Sequence, residues 1–294
     1  MERLVGRCIR LYPETSPAAL DTTSHDDYLI GYYSLSTWTC QGGSMAMNQP
    51  LVVKLTKGML IPRAYLHRIR QSLYHGGLCL TPSDTCYVLA GIPALRNLCD
   101  DINAILKRDR LPISVTFGTQ GLAERFVQFN RANIQLIDEF TPGPVTIVAP
   151  LRADLPDSLA RALNGALNNP KREIAVRFPD SPAEVQLSSE LERPLTTTAI
   201  LYRNHVPVKS FDDAFDIVME GRARSGINRE ICAIRQGQGN FSGDLSTVVE
   251  AGRLSGARGS NYQIFREGEV SEKRIRKSLA ALDRYVLRND DEWA

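Results

Sequence analysis

From Leu51 onward, short apolar runs alternate with stretches of helical period, and this predicts an α/β fold with helices packed on a sheet. Strands crowd the later part of the chain, which makes the sheet mixed. Leu51-Val52-Val53-Lys54-Leu55 reads as the first strand. A helix follows from Pro62 to Tyr74. Proline is tolerated at its start because the N–H it lacks has no partner there; Leu66, Ile69 and Leu73 share one face, and Gly76 ends it. Gly76-Gly77 then leads into the strand Leu78-Cys79-Leu80 and the turn Thr81-Pro82-Ser83-Asp84-Thr85. A second helix is expected from Pro93 to Lys107, with Leu95, Leu98, Ile102, Ile105 and Leu106 on its apolar stripe. Next come a strand at Ile113–Phe117, a helix near Leu122–Asn130 and a strand at Val145–Ala149. Further strands are expected at Ile174–Arg177, Leu195–Ile200, Ile231–Ile234, Ser246–Glu250 and Gln263–Phe265, with helices near Pro182–Leu191 and Asp212–Glu220.

The two ends differ from this middle. Residues 1–50 are rich in Ser, Thr, Gly and Tyr and show no helical period. Cys8–Leu11 and Tyr28–Thr37 read as strands, so this part is expected to be a β-rich extension of unknown role, followed by the α/β domain over 51–270. Residues 271–294 form a basic tail; Val270–Leu287 reads as a helix that packs through its leucines and exposes Lys273, Arg274, Arg276 and Lys277.

A chain of 294 residues with 43% apolar and 23% charged residues suits a soluble globular protein with a sizeable core. No apolar run reaches the ~20 residues that span a bilayer. Met1-Glu2-Arg3-Leu4-Val5-Gly6-Arg7 lacks the apolar core of a secretion signal. A cytoplasmic protein without a membrane partner is therefore expected. A net charge of +2 gives no argument for nucleic acid, so any anion site must come from local clustering. The 6 cysteines form no Cys-x-x-Cys pair and the 4 histidines are scattered, which argues against a structural zinc or a histidine-based nucleophile.

Four constellations are suited to chemistry. Thr81, Ser83, Asp84 and Thr85 crowd hydroxyls and a carboxylate at a strand end, where they serve either an anionic ligand or a helix cap and Asx-turn. Lys107-Arg108-Asp109-Arg110 places three cations at a helix C-terminus, either complementing the dipole or clamping a polyanion. Arg177 sits inside an apolar strand, so it is paired structurally or faces a ligand. Hydroxyl-dense strands at Thr196-Thr197-Thr198 and Ser246-Thr247 complete the set; each is weak singly.

In order, these segments resemble one family. They run Gly76-Gly77, Pro82-Ser83-Asp84-Thr85-Cys86-Tyr87-Val88-Leu89, Lys107-Arg108-Asp109-Arg110 before Pro112-Ile113, and Pro142-Gly143-Pro144-Val145-Thr146. Arg177-Phe178-Pro179-Asp180, Pro194-Leu195 to Thr198-Ala199, Ser246-Thr247-Val248 and Arg266-Glu267-Gly268 follow. Over roughly residues 51–270 the chain resembles the YrdC/YciO family, which includes the threonylcarbamoyl-AMP synthases, and it looks nearer the YciO branch. The resemblance implies a twisted, mixed, open α/β sheet whose basic concave face binds ATP. It implies a carbamoyl-adenylate made from ATP, bicarbonate and L-threonine or a related amine, with release of pyrophosphate. Magnesium on the phosphates and tRNA or tRNA-modification partners are implied too, with no protein ligand assigned to the metal.

Position by position, the resemblance puts Lys107, Arg110 and Thr85 in the catalytic set. Arg108, Arg177, Thr198 and Thr247 are implied to bind nucleotide, and Ser83, Thr116 and Ser246 the amino acid and bicarbonate. Departures accompany it. Ile200 stands where the synthases usually have asparagine, Thr116 where they have histidine, Ser83 for threonine and Val88 for glycine. The alternative function is that of a non-catalytic YciO-like nucleotide- or RNA-binding protein.

Overall fold

Apolar strands and amphipathic helices find one another here much as their periods require. The structure, a computed structural model, describes residues 50–290 except 57–59, 94, 96, 109–112, 165–171, 238–240 and 253–261. The strands expected at Cys8–Leu11 and Tyr28–Thr37 lie outside the described residues. In chain order the elements are β1 (Leu51–Leu55), α1 (Arg63–Tyr74), β2 (Leu78–Pro82), β3 (Tyr87–Gly91), α2 (Leu98–Ile105) and β4 (Ser114–Thr116). Then come α3 (Gln120–Glu124), α4 (Arg131–Phe140), β5 (Val145–Pro150), α5 (Asp157–Asn164), β6 (Glu173–Arg177) and α6 (Pro182–Leu191). β7 (Leu195–Ala199), α7 (Phe211–Ser225), β8 (Ile231–Gln236), β9 (Thr247–Ala251), β10 (Tyr262–Arg266) and α8 (Glu272–Asp290) complete the chain.

The strands form a 10-stranded sheet in the order β1-β8-β2-β3-β7-β4-β6-β5-β9-β10. Pairs β1/β8, β8/β2, β4/β6 and β5/β9 are parallel and the others antiparallel, so the sheet is mixed, as expected.

Three elements depart from the sequence expectation. Tyr87–Gly91, to which the sequence reading gave no element, is strand β3, paired with β2 through Thr81↔Val88 and Pro82↔Tyr87. Every residue of β3 is buried, so it shows no period-2 alternation to betray it. Helix α2 begins at Leu98 rather than Pro93, because Asn97 turns into the left-handed region (φ 60°) immediately before it. The helix expected over 122–130 stops at Glu124, where Val127 bridges to Leu151, and a second helix, α4, starts beyond it. There Asn130 and Asn133 cap each other reciprocally, at 2.8 and 3.1 Å.

The two faces of the sheet are unlike. One is covered along its length. Leu98, Ile102 and Ile105 of α2 and Ala214 and Val218 of α7 pack over Leu80, Leu89 and Ala233. Leu136 of α4 and Ile275 and Leu279 of α8 pack over Val115, Ile147, Val176 and Val249. On the other face α1 and α6 cover Val53, Cys79, Ala90, Leu195 and Cys232 through Ile69, Leu73, Leu187 and Leu191. Past β7 the same face turns polar: the register sets Thr116, Arg177 and Thr146 side by side on β4, β6 and β5.

Helix α7 crosses α2 so closely that a Cβ on Gly221 would lie 2.0 Å from the Ile105 carbonyl oxygen. One turn on, Arg224 Nη2 donates to that same oxygen at 2.8 Å, securing the end of α2 just before Lys107 and Arg108. Gly221→Ala is expected to destabilise the protein by about 2 kcal/mol through overpacking, read as a lower urea midpoint at unchanged slope.

Candidate functional site

The polar half of that face is closed by the tip of the β2–β3 hairpin. Ser83 N–H donates to the Cys86 carbonyl at 2.9 Å and makes the turn. The order β2-β3-β7-β4-β6 would separate β2 from β6 by about 19 Å in a flat sheet. Yet Asp84 forms an ion pair with Arg177 at the end of β6, and Ser181 Oγ donates to the Pro82 carbonyl at 2.8 Å. The tip is therefore folded over the sheet, against the start of α6.

Arg177 is only 4% exposed. Burial works against its charge, but Asp84 and then Glu184 outweigh it and hold the guanidinium charged. Arg177 Nε is buried and has no acceptor among the described residues. Glu184 is fully buried; its carboxyl lies 2.5 Å from Ser83 Oγ and 2.6 Å from Thr116 Oγ1, and Thr116 meets Thr197 Oγ1 at 2.9 Å. Burial pushes the Glu184 carboxyl above the usual carboxylate range, against the opposing pull of Arg177, Ser83 and Thr116.

Two more guanidinium groups complete the site. Arg266, at the end of β10, donates to the Ser246 carbonyl at 2.8 and 3.0 Å and to Ser246 Oγ at 3.0 Å; Ser246 Oγ in turn meets Thr146 Oγ1 at 2.9 Å. Burial and the nearby Arg177 charge depress the pKa of Arg266. Burial and the neighbouring Arg266 charge push Arg108 down to about 10. Three arginines from β6, β10 and the α2–β4 loop thus act on one another through partly desolvated space. Their repulsion is what a bound anion would relieve. Asp84 and Glu184 are both engaged, and among the described residues no group of three metal-ligating side chains occurs. Among the described residues the site therefore offers a divalent cation no cage of three side chains.

A separate hollow of about 400 Å³ lies beside Gly76-Gly77, lined in part by Ser72, His75, Asp101 and Arg229. Arg229 there is already bound to Asp101 and to the Gly76 carbonyl, each at 2.6 Å, and no residue expected in the site reaches it.

The family model Sua5/YciO/YrdC, described as telomere recombination, matches residues 71–268. The chain belongs to this family. A Methanocaldococcus jannaschii protein that bears the provisional name threonylcarbamoyl-AMP synthase is 26% identical over 135 residues. The match covers 46% of this chain and 59% of that protein, less than two thirds of its length. P. abyssi Sua5, crystallised with L-threonine, superposes with a TM-score of 0.60 at 19% identity, over 78% of this chain and 61% of that one. E. coli YciO gives 0.59 at 16% identity, over 77% of this chain and 99% of that one. These likenesses establish the fold, the twisted mixed sheet expected of a Sua5/YciO/YrdC protein.

Of the residues expected in the site, the structure gathers Ser83, Thr116, Arg177, Ser246 and Arg108, with exposed Lys107 next along the chain. Of the two readings of Arg177, a structural pair or a ligand contact, the structure shows the pair: its guanidinium is bound to Asp84. Thr198 and Thr247 correct one expectation. Thr198 pairs with Leu89 of the helix-covered core and so points away from the site, whereas its neighbour Thr197 points in. Thr247 Oγ1 donates to the Val270 carbonyl at 2.5 Å and ties β9 to the start of α8. Thr85 is buried, its hydroxyl 3.8 Å from Cys86 Sγ. Arg110 lies outside the described residues. Ile200 is fully buried in the apolar cluster that holds Tyr87 and Val208. Sequence reasoning missed Glu184, Thr146, Thr197 and Arg266. The spacing Ser181-x-x-Glu184 was a signal, but of a capping box.

Lys107 closes α2 as the left-handed residue (φ 53°) of a Schellman turn, with Arg108 N–H on the Asn103 carbonyl at 2.8 Å and its own N–H on Ala104 at 3.3 Å. Glycine is the usual residue there, and a side chain costs on the order of 1 kcal/mol. Lys107→Gly should therefore raise stability in chemical denaturation by about that amount.

Proposed function

We propose that this protein is a threonylcarbamoyl-AMP synthase-like nucleotidyltransferase. It joins ATP, bicarbonate and L-threonine or a related amine into a carbamoyl-adenylate and releases pyrophosphate. The observation that carries this reading is the convergence of Arg177, Arg266 and Arg108 on one hydroxyl-lined face of a Sua5/YciO/YrdC fold. Nucleotidyl transfer depends on alignment and charge neutralisation more than on a dedicated nucleophile, and guanidinium groups match phosphate oxygens.

In this reading Arg266, Arg108 and Lys107 hold the phosphates, with Arg110 from the same loop. Arg177, anchored by Asp84, supplies fixed positive charge beneath them. Ser83 and Thr116 border the amine and bicarbonate, with Thr85 behind the hairpin tip, and Ser246 and Thr146 close the opposite side. Magnesium would travel with the nucleotide, held by its phosphates and water, since both carboxylates are engaged within the protein. The adenylate would be passed on to tRNA or to a tRNA-modifying partner. No described helix is long and apolar enough to cross a membrane, and the reading needs none.

One observation favours a second reading, that of a nucleotide- or RNA-binding protein without adenylation. Ile200, fully buried among apolar side chains, gives no polar contact where the synthases carry asparagine. Pyrophosphate release with ATP, magnesium, bicarbonate and single amino acids decides between them: turnover with one amine is expected, and ATP binding without turnover supports the second reading. Arg266→Ala is expected to weaken ATP binding about 10- to 100-fold by loss of a charge-assisted contact. RNA binding, where it occurs, should weaken steeply with added salt.

A further inference from the structure

Five side chains in the site form a line of oxygen contacts. Asp84 Oδ1 meets Ser83 Oγ at 3.0 Å, and Ser83 Oγ meets Glu184 Oε2 at 2.5 Å. Glu184 Oε1 meets Thr116 Oγ1 at 2.6 Å, and Thr116 Oγ1 meets Thr197 Oγ1 at 2.9 Å. These are 4 contacts, and each needs one proton. With both carboxylates ionised, only the 3 hydroxyls of Ser83, Thr116 and Thr197 supply protons, so one contact would set two lone pairs against each other. Asp84 is bound to Arg177 and is the carboxylate of the line. A proton on Glu184 completes it: Glu184 donates to Ser83, Ser83 to Asp84, Thr116 to Glu184 and Thr197 to Thr116.

We propose that Glu184 is a neutral acid and a proton-relay residue, acting through Ser83 Oγ on the substrate held at the open face. Glu184 has no exposed surface, whereas Ser83 keeps a narrow exposed edge at the hairpin tip. Of these two, it is Ser83 that can therefore touch a ligand. The charged and titratable groups around Glu184 are Arg177, which favours its ionised form, Asp84, which opposes it, and the Cys86 thiol, which burial keeps neutral; at Glu184 burial weighs most and favours the acid.

This relay rests on the function proposed above and gives the first half of that reaction its acid. Bicarbonate must lose its hydroxyl before an amine can bond to its carbon. Ser83 gives its proton to that hydroxyl as the C–O bond breaks, and Glu184 replaces the proton on Ser83. Water and carbon dioxide result, and Glu184 is left as carboxylate. The amine, entering as ammonium, loses two protons as its nitrogen bonds to carbon dioxide. One returns through Ser83 to Glu184 and the other goes to solvent, so the carbamate forms with the acid restored.

Glu184→Gln keeps the shape and one donor but can transfer no proton. Infrared difference spectra of the wild-type protein against this variant, without ligand and at neutral pH, should show the carbonyl band of a protonated carboxylic acid. Its absence overturns the neutral acid, whatever the enzyme turns over. In steady-state assays Glu184→Gln should lose at least about 100-fold in kcat with the KM for ATP unchanged. The wild-type rate should fall as pH rises through the Glu184 pKa, and the variant should show no such limb. An unchanged kcat overturns the relay, as does an equal loss of ATP affinity, which marks a structural role. Wild-type protein that releases no pyrophosphate with any amine removes the reaction and the relay together, while the infrared band still decides whether Glu184 holds the proton.

The same proton predicts stability. The folded state binds it at pH values where unfolded Glu184 is ionised, so its contribution is full below the unfolded pKa of about 4.3 and is lost as pH rises through the folded pKa. Denaturant midpoints should therefore shift in favour of Glu184→Gln as pH rises. A constant difference between the two proteins across that range overturns the assignment.

Discussion

Arg177 and Asp84 are almost withdrawn from water, with 5% and 8% of their side chains exposed; Asp84 lies in the turn after β2, and β2 and the β6 that carries Arg177 are four places apart in the sheet. Such a pair contributes little net stability, because two desolvation costs offset the attraction. Its effect is conditional. Once the β2–β3 tip has folded over the sheet, losing either partner leaves a bare buried charge, at a cost of about 3–5 kcal/mol. The pair therefore locks one position of the tip against all others. Ser83, Cys86 and the start of α6 inherit their places from that lock.

The ion pair also sets the charge balance of the site. Asp84 consumes one guanidinium, and Arg266 and Arg108 remain as neighbouring cations on the same face. Close backbone packing keeps Arg266 there. A Cβ on Gly268 would lie 2.1 Å from the Leu245 carbonyl, so the chain leaving β10 runs tight against the entry to β9. The Arg266 guanidinium is then fixed by Ser246. On the other side Arg224 and Gly221 anchor the end of α2 and with it the loop that carries Lys107 and Arg108. The cations are thus held from separate, rigid elements, which lowers the ordering cost when an anion arrives.

Much of this was legible in the sequence, for reasons that also explain what was not. Strands such as Ile174–Arg177 and helices such as Pro182–Leu191 carry their own punctuation, and both formed where expected. β3 was missed because a strand buried on both faces has no alternation to read. In the hydroxyl run at 196–198 the sequence reading chose Thr198, whereas Thr197 faces the polar side. Thr196-Thr197-Thr198 has no inside or outside until the register with β3 and β4 is set, and a step of one residue exchanges the faces. Ser246 and Thr247 divide between site and scaffold for the same reason. Glu184 carries no mark of its own in the sequence, because Ser181-x-x-Glu184 is the spacing of a helix cap, and only tertiary contact shows the carboxyl turned toward Ser83 and Thr116.

That contact changes how the departures from the synthases should be weighed. Ser83 and Thr116 look like independent substitutions along the chain, yet both end on the two oxygens of one buried carboxyl. They form a unit: a hydroxyl at 116 both gives to Glu184 and receives from Thr197, and a carboxyl at 184 requires a hydroxyl partner on each side. Reverting any one of the three alone would strand a buried polar group. Ile200 is a different case, packed among apolar neighbours behind the sheet and touching none of this network. What distinguishes this chain at the rim is thus one coupled rearrangement of hydroxyls around an acid.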